Sequence, residues 1–396
     1  MGEAEIRRIR RLIESGNIFR YGSGGECDRF EAGWASHLGV KHARMTRSGT
    51  SALYTALVGL GVGPGDQVVV PAYTYMATAL AVLSAGAIPV VADVDDSLTL
   101  SAEDLERRLT RHTRAVIPVH MVGLPCDMDG IMKVARRHDL LVLEDACQAV
   151  GGGYRGRALG SIGHAGAFSF NFFKNITCGE GGAFVTSSKA VYDRGSVAVD
   201  CCSFYWDADP EATDAPRSAE DLQFAGHNFR ASEFEGAILN VQLGRLDGML
   251  ARMRDQKKAL TEAGEATGLT SIRNHSPDFE CGTHAGFLFE TEERARTFSA
   301  DLAGRGVGNF RPLDTGRHVY TRWEPILRQQ GSHHPALDPF KIAANRKCRV
   351  RYTHDMCASS LDILGRAVLV PCHPDHRKPR IRSMIKGLEA AAEAEA

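Results

Sequence analysis

The sequence has no surplus of either charge and no apolar run long enough to cross a membrane. Its 47 lysine and arginine residues balance 48 acidic residues, and the net charge of −1 favours neither nucleic acid nor a membrane surface as a partner. The longest apolar runs fall well short of the roughly 20 residues that a bilayer requires. The first residues, MGEAEIRRIRRLIESG, contain no apolar core typical of a signal peptide. We therefore expect neither a nucleic-acid nor a membrane partner.

Disulfide and metal-binding patterns are also lacking. The ten cysteines are scattered without a CxxC pair or a zinc-like spacing, and we interpret them as the reduced thiols of a cytoplasmic enzyme. His333 and His334 are adjacent, but successive residues seldom converge on one ion and no acidic residue lies at a supporting spacing. The same argument applies to His373 and His376. We expect no metal site.

Short apolar runs bounded by turns predict a series of strands. They cover residues 67–70, 88–92, 115–119, 140–143, 166–170 and 183–186. Helical patterns alternate with most of these strands, and this alternation predicts an α/β fold with a mostly parallel sheet covered by helices.

The length of 396 residues allows two domains. Helical patterns cover residues 3–15 and 30–40, and a long one follows Ser232 as far as a stop at Gly264. Around residue 246 this pattern gives way to weaker strands at residues 286–290 and 367–370, with helices from Glu292 and from Pro379. We predict a large domain over residues 1–245 and a smaller carboxyl-terminal α+β domain over residues 246–396.

The most informative stretch runs from residue 140 to residue 187. Its first strand ends in Glu144 and Asp145, and ligands bind at the carboxyl ends of strands in open α/β sheets. A second strand is followed almost at once by Lys174. An acid and a lysine that face each other across a site suit pyridoxal phosphate, because the amine forms a Schiff base with its aldehyde and the carboxylate keeps its pyridine nitrogen protonated. A surface lysine and a helix-capping aspartate are the alternative reading.

The same stretch resembles the sugar aminotransferases of the DegT–StrS family, which are fold-type I pyridoxal phosphate enzymes. The family's motifs run E-D-A-x-Q, G-S-x-G, F-S-F, a lysine and G-E-G-G, and here they fall at residues 144–148, 160–163, 168–170, 174 and 179–182. The resemblance implies that Lys174 is the Schiff-base lysine and that Asp145 is the partner of the pyridine nitrogen. It also places Gln148 near the phenolic oxygen of the ring and Ser169 at the phosphate. His164 departs from the aspartate that the family often has after G-S-x-G.

Two earlier segments carry further cofactor candidates. Small residues open an apolar helix at residue 49, and a helix amino terminus favours a phosphate, although an ordinary Ser/Thr cap is the commoner case. The resemblance favours the phosphate and implies that Gly49 and Thr50 bind it. Tyr73 and Tyr75 follow a strand, where an aromatic ring can stack on a pyridine or belong to the core. The family's pattern favours Tyr75.

A later segment bears on assembly. Asn228 lies in a G-x-N-x-R pattern that could be an ordinary loop before the helix cap Ser232. In the family the matching asparagine reaches the phosphate of the neighbouring subunit, which implies an obligate homodimer with shared sites. We expect the segment 317–340 to shape the substrate pocket or to cover the surface, and the segment 201–220 to be a surface loop.

The activity that the resemblance implies is ping-pong transamination. Pyridoxal phosphate would alternate with its pyridoxamine form, with glutamate or glutamine as the amino donor. The acceptor would be a keto sugar, often nucleotide-linked, or a keto cyclitol. One alternative is a sugar dehydratase, a branch in which histidine replaces the Schiff-base lysine, whereas position 174 here is lysine. A non-catalytic regulatory protein on the same fold is the other, and Lys174, Asp145 and Gln148 together argue against it.

Overall fold

A computed structural model describes residues 1–20, 24–201 and 224–394. The helices are α1 Glu3–Ser15, α2 Glu26–Leu38, α3 Gly49–Gly59, α4 Ala77–Ser84, α5 Ala102–Arg108, α6 Met128–Arg137, α7 Lys189–Val199, α8 Glu233–Leu243, α9 Leu246–Ala266, α10 Glu292–Gly304, α11 Glu324–Leu327, α12 Ala358–Arg366 and α13 Lys378–Glu393. The strands are β1 His42–Thr46, β2 Gln67–Pro71, β3 Ile88–Ala92, β4 Thr113–Val116, β5 Leu141–Asp145, β6 Gly153–Tyr154, β7 Arg157–Ala158, β8 Ala165–Ser169, β9 Gly182–Thr186, β10 Thr270–Ser271, β11 His284–Leu288 and β12 Ala367–Pro371. Apart from Cys201, the predicted loop 201–220 lies outside the described residues.

Seven strands form the main sheet, in the order β1-β9-β8-β5-β4-β2-β3. The four pairs between β8 and β3 are parallel, whereas β9 pairs with both β8 and β1 in antiparallel register. The predicted mostly parallel sheet is confirmed, with an antiparallel edge that the sequence analysis did not predict. Because the parallel strands share one direction, the carboxyl ends of β2, β4, β5 and β8 lie at the same edge.

Alternate residues of the central strands serve two different cores. Val68 and Val70 pack with α3 and α4 on one face of the sheet, and Val69 packs with the α2 and α6 side on the other. A strand buried on both faces reads as an unbroken apolar run, because successive side chains point in opposite directions. This is why residues 67–70 were recognisable as a strand from sequence alone.

Two helix predictions need correction. The predicted helix at residues 30–40 begins earlier, at Glu26, and ends at Leu38. The predicted long helix after Ser232 is two helices, α8 and α9, which are separated at Gly244 and Arg245. Gly264 does not end α9 but lies inside it, where an added Cβ would meet the Phe287 ring at 2.3 Å. That glycine is present because the helix packs closely on β11.

The carboxyl-terminal part is built on a second sheet of three antiparallel strands, β10-β11-β12. Helix α9 links the two parts, since its Leu250 packs in the core of the main sheet and its Leu260 packs with Phe287. The strand predicted at residues 286–290 begins two residues earlier, at His284. Among the described residues no helix is long and apolar enough to cross a membrane.

Candidate active site

The carboxyl-terminal edge of the main sheet encloses a cavity of about 500 Å³, which we call the main cavity. Of the eight residues predicted for the site, seven line it: Gly49, Thr50, Tyr75, Asp145, Gln148, Ser169 and Lys174. Lys174 and Asp145 therefore face the same space. The separation of these two side chains, which would have excluded a cofactor between them, is not observed.

Asp145 is the last residue of β5, and hydrogen bonds hold its carboxylate at the main cavity. Oδ2 accepts a hydrogen bond from the Thr78 hydroxyl at 2.8 Å, and Oδ1 accepts one from the backbone N–H of Cys147 at 3.1 Å. The side chain is 4% exposed. Both donors are uncharged groups that fix the orientation of the carboxylate, and a cationic ring nitrogen in the cavity would be its counter-charge.

The neighbouring Glu144 has a different task, because successive residues of a strand point to opposite faces. Its carboxylate accepts hydrogen bonds from the backbone of Gly160, Ile162 and Gly163 at 2.8, 2.5 and 2.6 Å. It also lies 3.1 Å from Nε2 of His120. Burial opposes a charge on this imidazole, but Cys126 and Glu144 outweigh it and raise the pKa of His120. Glu144 thus anchors the glycine-rich crossing and does not reach the cavity.

The loop that carries Lys174 is tied at both ends. Phe172 donates its N–H to the Gly179 carbonyl, and Lys174 donates its own to the Asn171 carbonyl, both at 2.9 Å. Gln242 of α8 holds the backbone of Thr177 through its N–H and its carbonyl, at 2.8 and 2.6 Å. The main chain that carries the lysine is therefore fixed relative to both the sheet edge and α8.

The start of α3 forms the part of the cavity suited to a phosphate. Ser48 caps the helix by accepting from the Ser51 N–H at 3.1 Å, which leaves the N–H groups of Gly49 and Thr50 at the first two positions without an intrahelical partner. An added Cβ on Gly49 would lie 2.7 Å from Sγ of Cys147 and 2.8 Å from Cβ of Ser169. The helix start is therefore packed directly against the ends of β5 and β8, where N–H groups and the Ser169 hydroxyl can meet an anion.

The two candidate tyrosines are separated by the fold. Tyr75 lines the main cavity and is 45% exposed, whereas Tyr73 is 1% exposed and packs in the core. The Tyr75 ring lies 5.3 Å from the ring of His318. His318 comes from the segment 317–340, which was expected to shape the pocket or to cover the surface, and it lines the main cavity.

Asn228 is the predicted residue that the single chain does not bring to the main cavity. It lines a separate surface pocket of about 350 Å³, together with Arg47 and Arg230. Its backbone is left-handed, with φ of 53°, a conformation in which asparagine is enriched. Within one chain this residue has no contact with the cavity that holds Lys174.

A smaller cavity of about 260 Å³, the side chamber, opens beside the main cavity and shares Lys174, Gln148 and His318 with it. Its other wall includes Val122 and, from the carboxyl-terminal part, Thr283 and His284. The sequence analysis named none of these three residues, nor Thr78. Thr78 could have been inferred from its place three residues after Tyr75, at the start of α4, but His284 has no local signal because only the packing of β11 brings it here.

These side chains fit pyridoxal phosphate. A fixed carboxylate, an amine and the open amino terminus of a buried helix line one cavity of adequate size. The fold and the site define the class as fold-type I aminotransferase-like. The sequence profile of the DegT/DnrJ/EryC1/StrS aminotransferase family matches residues 1–308, and the chain belongs to this family.

Characterised relatives share substantial identity. The chain is 40% identical to dTDP-3-amino-3,4,6-trideoxy-alpha-D-glucose transaminase of Streptomyces venezuelae over 331 residues, 82% of this chain and 81% of that protein. It is 43% identical to GDP-perosamine synthase of Caulobacter vibrioides over 228 residues, and this match spans 56% of the chain and little more than half, 57%, of the relative.

Solved structures give the same fold over nearly the whole chain. DesV of S. venezuelae, in complex with a ketimine intermediate, superposes with a TM-score of 0.78 at 28% identity, covering 98% of this chain and 94% of that one. A 3-amino-5-hydroxybenzoic acid synthase gives 0.78 at 27% identity, covering 100% and 97%. The expected fold class is confirmed.

Proposed function

We propose that this chain is a pyridoxal phosphate-dependent aminotransferase that transfers an amino group from glutamate or glutamine to a keto sugar or keto cyclitol. The observation that carries the proposal is that Lys174, Asp145 and the open start of α3 line one cavity. When bound, pyridoxal phosphate would supply an aldehyde and an electron-withdrawing ring. We further propose a cytoplasmic protein, with domains at residues 1–245 and 246–396.

Each residue has a role in this proposal. The amine of Lys174 would bind the aldehyde and, once displaced by the amino donor, would move the proton from the donor's α-carbon. Asp145 would keep the pyridine nitrogen protonated. Gln148 would donate a hydrogen bond to the phenolic oxygen, because its Oε1 is already occupied by the Val122 N–H at 3.2 Å and its NH₂ group is left for the cavity.

The remaining residues would hold the cofactor in place. Gly49 and Thr50 would bind the phosphate with their backbone N–H groups, and Ser169 would bind it with its hydroxyl. Tyr75 would lie against the ring and help to keep water away from it. Cys147 adds no charge to the cavity, because burial raises the pKa of its thiol well above the usual range.

The substrate class is supported by the relatives. A dTDP-sugar transaminase and a GDP-perosamine synthase are both named for amino sugars linked to a nucleotide, which favours a nucleotide-linked keto sugar over a cyclitol. The dehydratase alternative would require histidine at position 174, whereas the lysine there lines the cavity.

We also propose a homodimer with shared active sites. Phe172 and Phe173, beside Lys174, are 68% and 86% exposed in the single chain. Exposed apolar side chains grouped near a site mark a surface that another chain covers. In such a dimer Asn228 would reach the phosphate of the partner's cofactor.

Reductive trapping tests the cofactor assignment. Borohydride treatment of the cofactor-loaded protein should attach the cofactor covalently to the peptide that contains Lys174, as read by mass spectrometry. Transamination of a panel of nucleotide-linked keto sugars and keto cyclitols by the pyridoxamine form should then identify the acceptor. A Lys174→Ala variant that still transaminates at the wild-type rate would refute the proposal.

Subunit complementation tests the shared site. Lys174→Ala and Asn228→Ala chains should each be inactive alone. After mixing and subunit exchange they should regain activity, since a heterodimer contains one site with both native residues. If no activity returns although exchange is demonstrated, each site belongs to one chain.

A further inference from the structure

His284 presents an unprotonated nitrogen to the side chamber. Its Nδ1 lies 3.2 Å from the Val122 carbonyl, which can only accept, and 3.0 Å from the Thr283 hydroxyl, which already donates to that carbonyl. Nδ1 is therefore the donor and carries the proton. The Nε2 atom is left as an acceptor on a ring that lines the chamber, and the hydrogen bonds of this imidazole to described residues are both made by Nδ1. Burial lowers the pKa of His284 to about 4, which keeps the ring neutral at physiological pH.

His318 repeats this arrangement on the same chamber. Its Nδ1 lies 3.1 Å from the carbonyl of Thr315, which again assigns the proton to Nδ1 and leaves Nε2 as an acceptor. Burial and the nearby charge of Lys174 lower the pKa of His318. The side chamber therefore contains two imidazole acceptors from different elements of the carboxyl-terminal part.

A strained turn fixes the orientation of His284. Val122 has φ of 50° and ψ of 29°, a left-handed conformation that is a genuine outlier for a β-branched residue. Its carbonyl accepts from the Thr283 hydroxyl and from His284, while its N–H donates to Gln148. Such conformations persist where surrounding contacts hold them, and they cluster at functional sites. One residue, Val122, thus sets both the acceptor nitrogen of His284 and the donor group of Gln148.

The chemistry of the side chamber selects the ligand. Among the described residues that line it, Lys174, at the boundary with the main cavity, carries the only charge. The far wall offers acceptors, to which Asn175 adds its amide oxygen because its NH₂ group is bound to the Val150 carbonyl at 2.9 Å. Carboxylate or phosphate oxygens would face acceptors there, whereas hydroxyl groups would donate to them.

We propose that the side chamber binds the hydroxyl-bearing ring of the acceptor substrate, and that His284 accepts a hydrogen bond from one of its hydroxyl groups. The inference rests on the proposed aminotransferase function and deepens it, since it assigns a specificity residue that lies outside the strand-end motifs. The nucleotide and its phosphates would lie outside the side chamber.

Three variants separate the contacts of His284. In His284→Asn the amide nitrogen can still reach the Val122 carbonyl, but no acceptor remains at the position of Nε2. In His284→Gln the longer side chain can return an oxygen to that position. His376→Asn is the matched control, because this imidazole bonds Gln256 at 2.7 Å and lines neither cavity. The probes are GDP-perosamine, dTDP-3-amino-3,4,6-trideoxy-alpha-D-glucose and glutamate, each titrated calorimetrically into the full-length, cofactor-loaded protein.

We expect the dissociation constant of the tighter-binding sugar nucleotide to rise at least tenfold in His284→Asn. It should stay within threefold of wild type in His284→Gln and in the control. Glutamate should convert the cofactor to its pyridoxamine form at an unchanged rate in all three variants. Wild-type affinity for the sugar in His284→Asn would overturn the proposal, as would a wild-type protein that binds neither sugar nucleotide. Failure of the aminotransferase function itself would appear separately, as absence of the cofactor linkage to Lys174.

Discussion

The two walls of the active-site cavity are built in different ways. The wall at the edge of the main sheet comes mainly from residues near one another in the chain, namely Asp145, Gln148, Ser169 and Lys174, and the start of α3 completes it. The wall of the side chamber depends on distant partners, since Val122 contacts Thr283 and His284 across 161 and 162 positions of sequence. The first wall is set by strand ends and turns, and the second exists only once the three-stranded sheet has packed.

This difference assigns the two walls to different tasks. The sheet-edge wall carries the amine, the carboxylate and the helix start that suit one cofactor. The wall of the side chamber carries neutral groups that suit the variable part of a substrate. Substitutions in the first wall should therefore change chemistry, whereas substitutions in the second should change selectivity.

The largest expected effect comes from Glu144, which neighbours Asp145 in β5 but does not line the main cavity. In Glu144→Gln an amide NH₂ would face backbone N–H donors, and His120 would lose its counter-charge in a fully buried site. We expect the free energy of unfolding to fall by about 3–5 kcal/mol, measured by urea denaturation. The variant should keep near-normal turnover per folded molecule. Loss of turnover without loss of stability would place Glu144 in the chemistry instead.

Asp145→Asn should have the opposite effect: turnover should fall, whereas stability should be nearly unchanged. Its carboxylate is proposed to stabilise a protonated ring nitrogen, and removing one such preorganised interaction lowers turnover about a hundredfold to a thousandfold. Thr78 and Cys147 can still bond the amide, so stability should change little. Steady-state kinetics and thermal denaturation check the two expectations. Near-wild-type turnover in Asp145→Asn would remove this residue from the proposed mechanism.

His284, in the wall of the side chamber, should make the unfolding free energy depend on pH. The folded chain holds His284 neutral down to about pH 4, whereas the unfolded chain protonates it below about pH 6.5. The unfolding free energy should therefore decrease as pH falls from 6.5 to 4, by up to about 3 kcal/mol from this group. His284→Asn should lose that part of the slope in urea titrations at several pH values. An identical slope in the variant would show that His284 is not held neutral.

The raised pKa of His120 acts in the opposite sense, giving stability that is present at low pH and lost as pH rises.

A substitution in the carboxyl-terminal part, with a smaller expected effect, tests whether packing there is independent of the sheet-edge wall. Gly264→Ala puts a methyl group against the Phe287 ring, and overpacking of this kind lowers stability by about 1–3 kcal/mol. Cofactor affinity, measured by fluorescence titration, should remain within about twofold of wild type. Gly244→Ala is the control, since an added Cβ there would meet only the Val241 carbonyl, at 3.7 Å.

Local sequence patterns predicted much of the fold and of the sheet-edge wall. Apolar runs gave the parallel strands, and the motifs around residues 144–182 gave side chains that do line one cavity. The patterns were weaker wherever packing decided the outcome. The break between α8 and α9 and the place of Gly264 inside a helix depend on neighbours that periodicity does not reveal.

The sequence by itself determined which chemical groups stand at strand ends, because the period of a strand and the direction of parallel strands follow from local rules. It also marked Lys174 and Asp145 as a pair worth testing. The different tasks of Glu144 and Asp145 also follow from a local rule, the alternation of side chains along a strand. Only the tertiary structure brought His284 to the side chamber. The physical reason is that a hydrogen-bond partner more than a hundred residues away leaves no periodic signal, and it acts only after the two sheets are packed together.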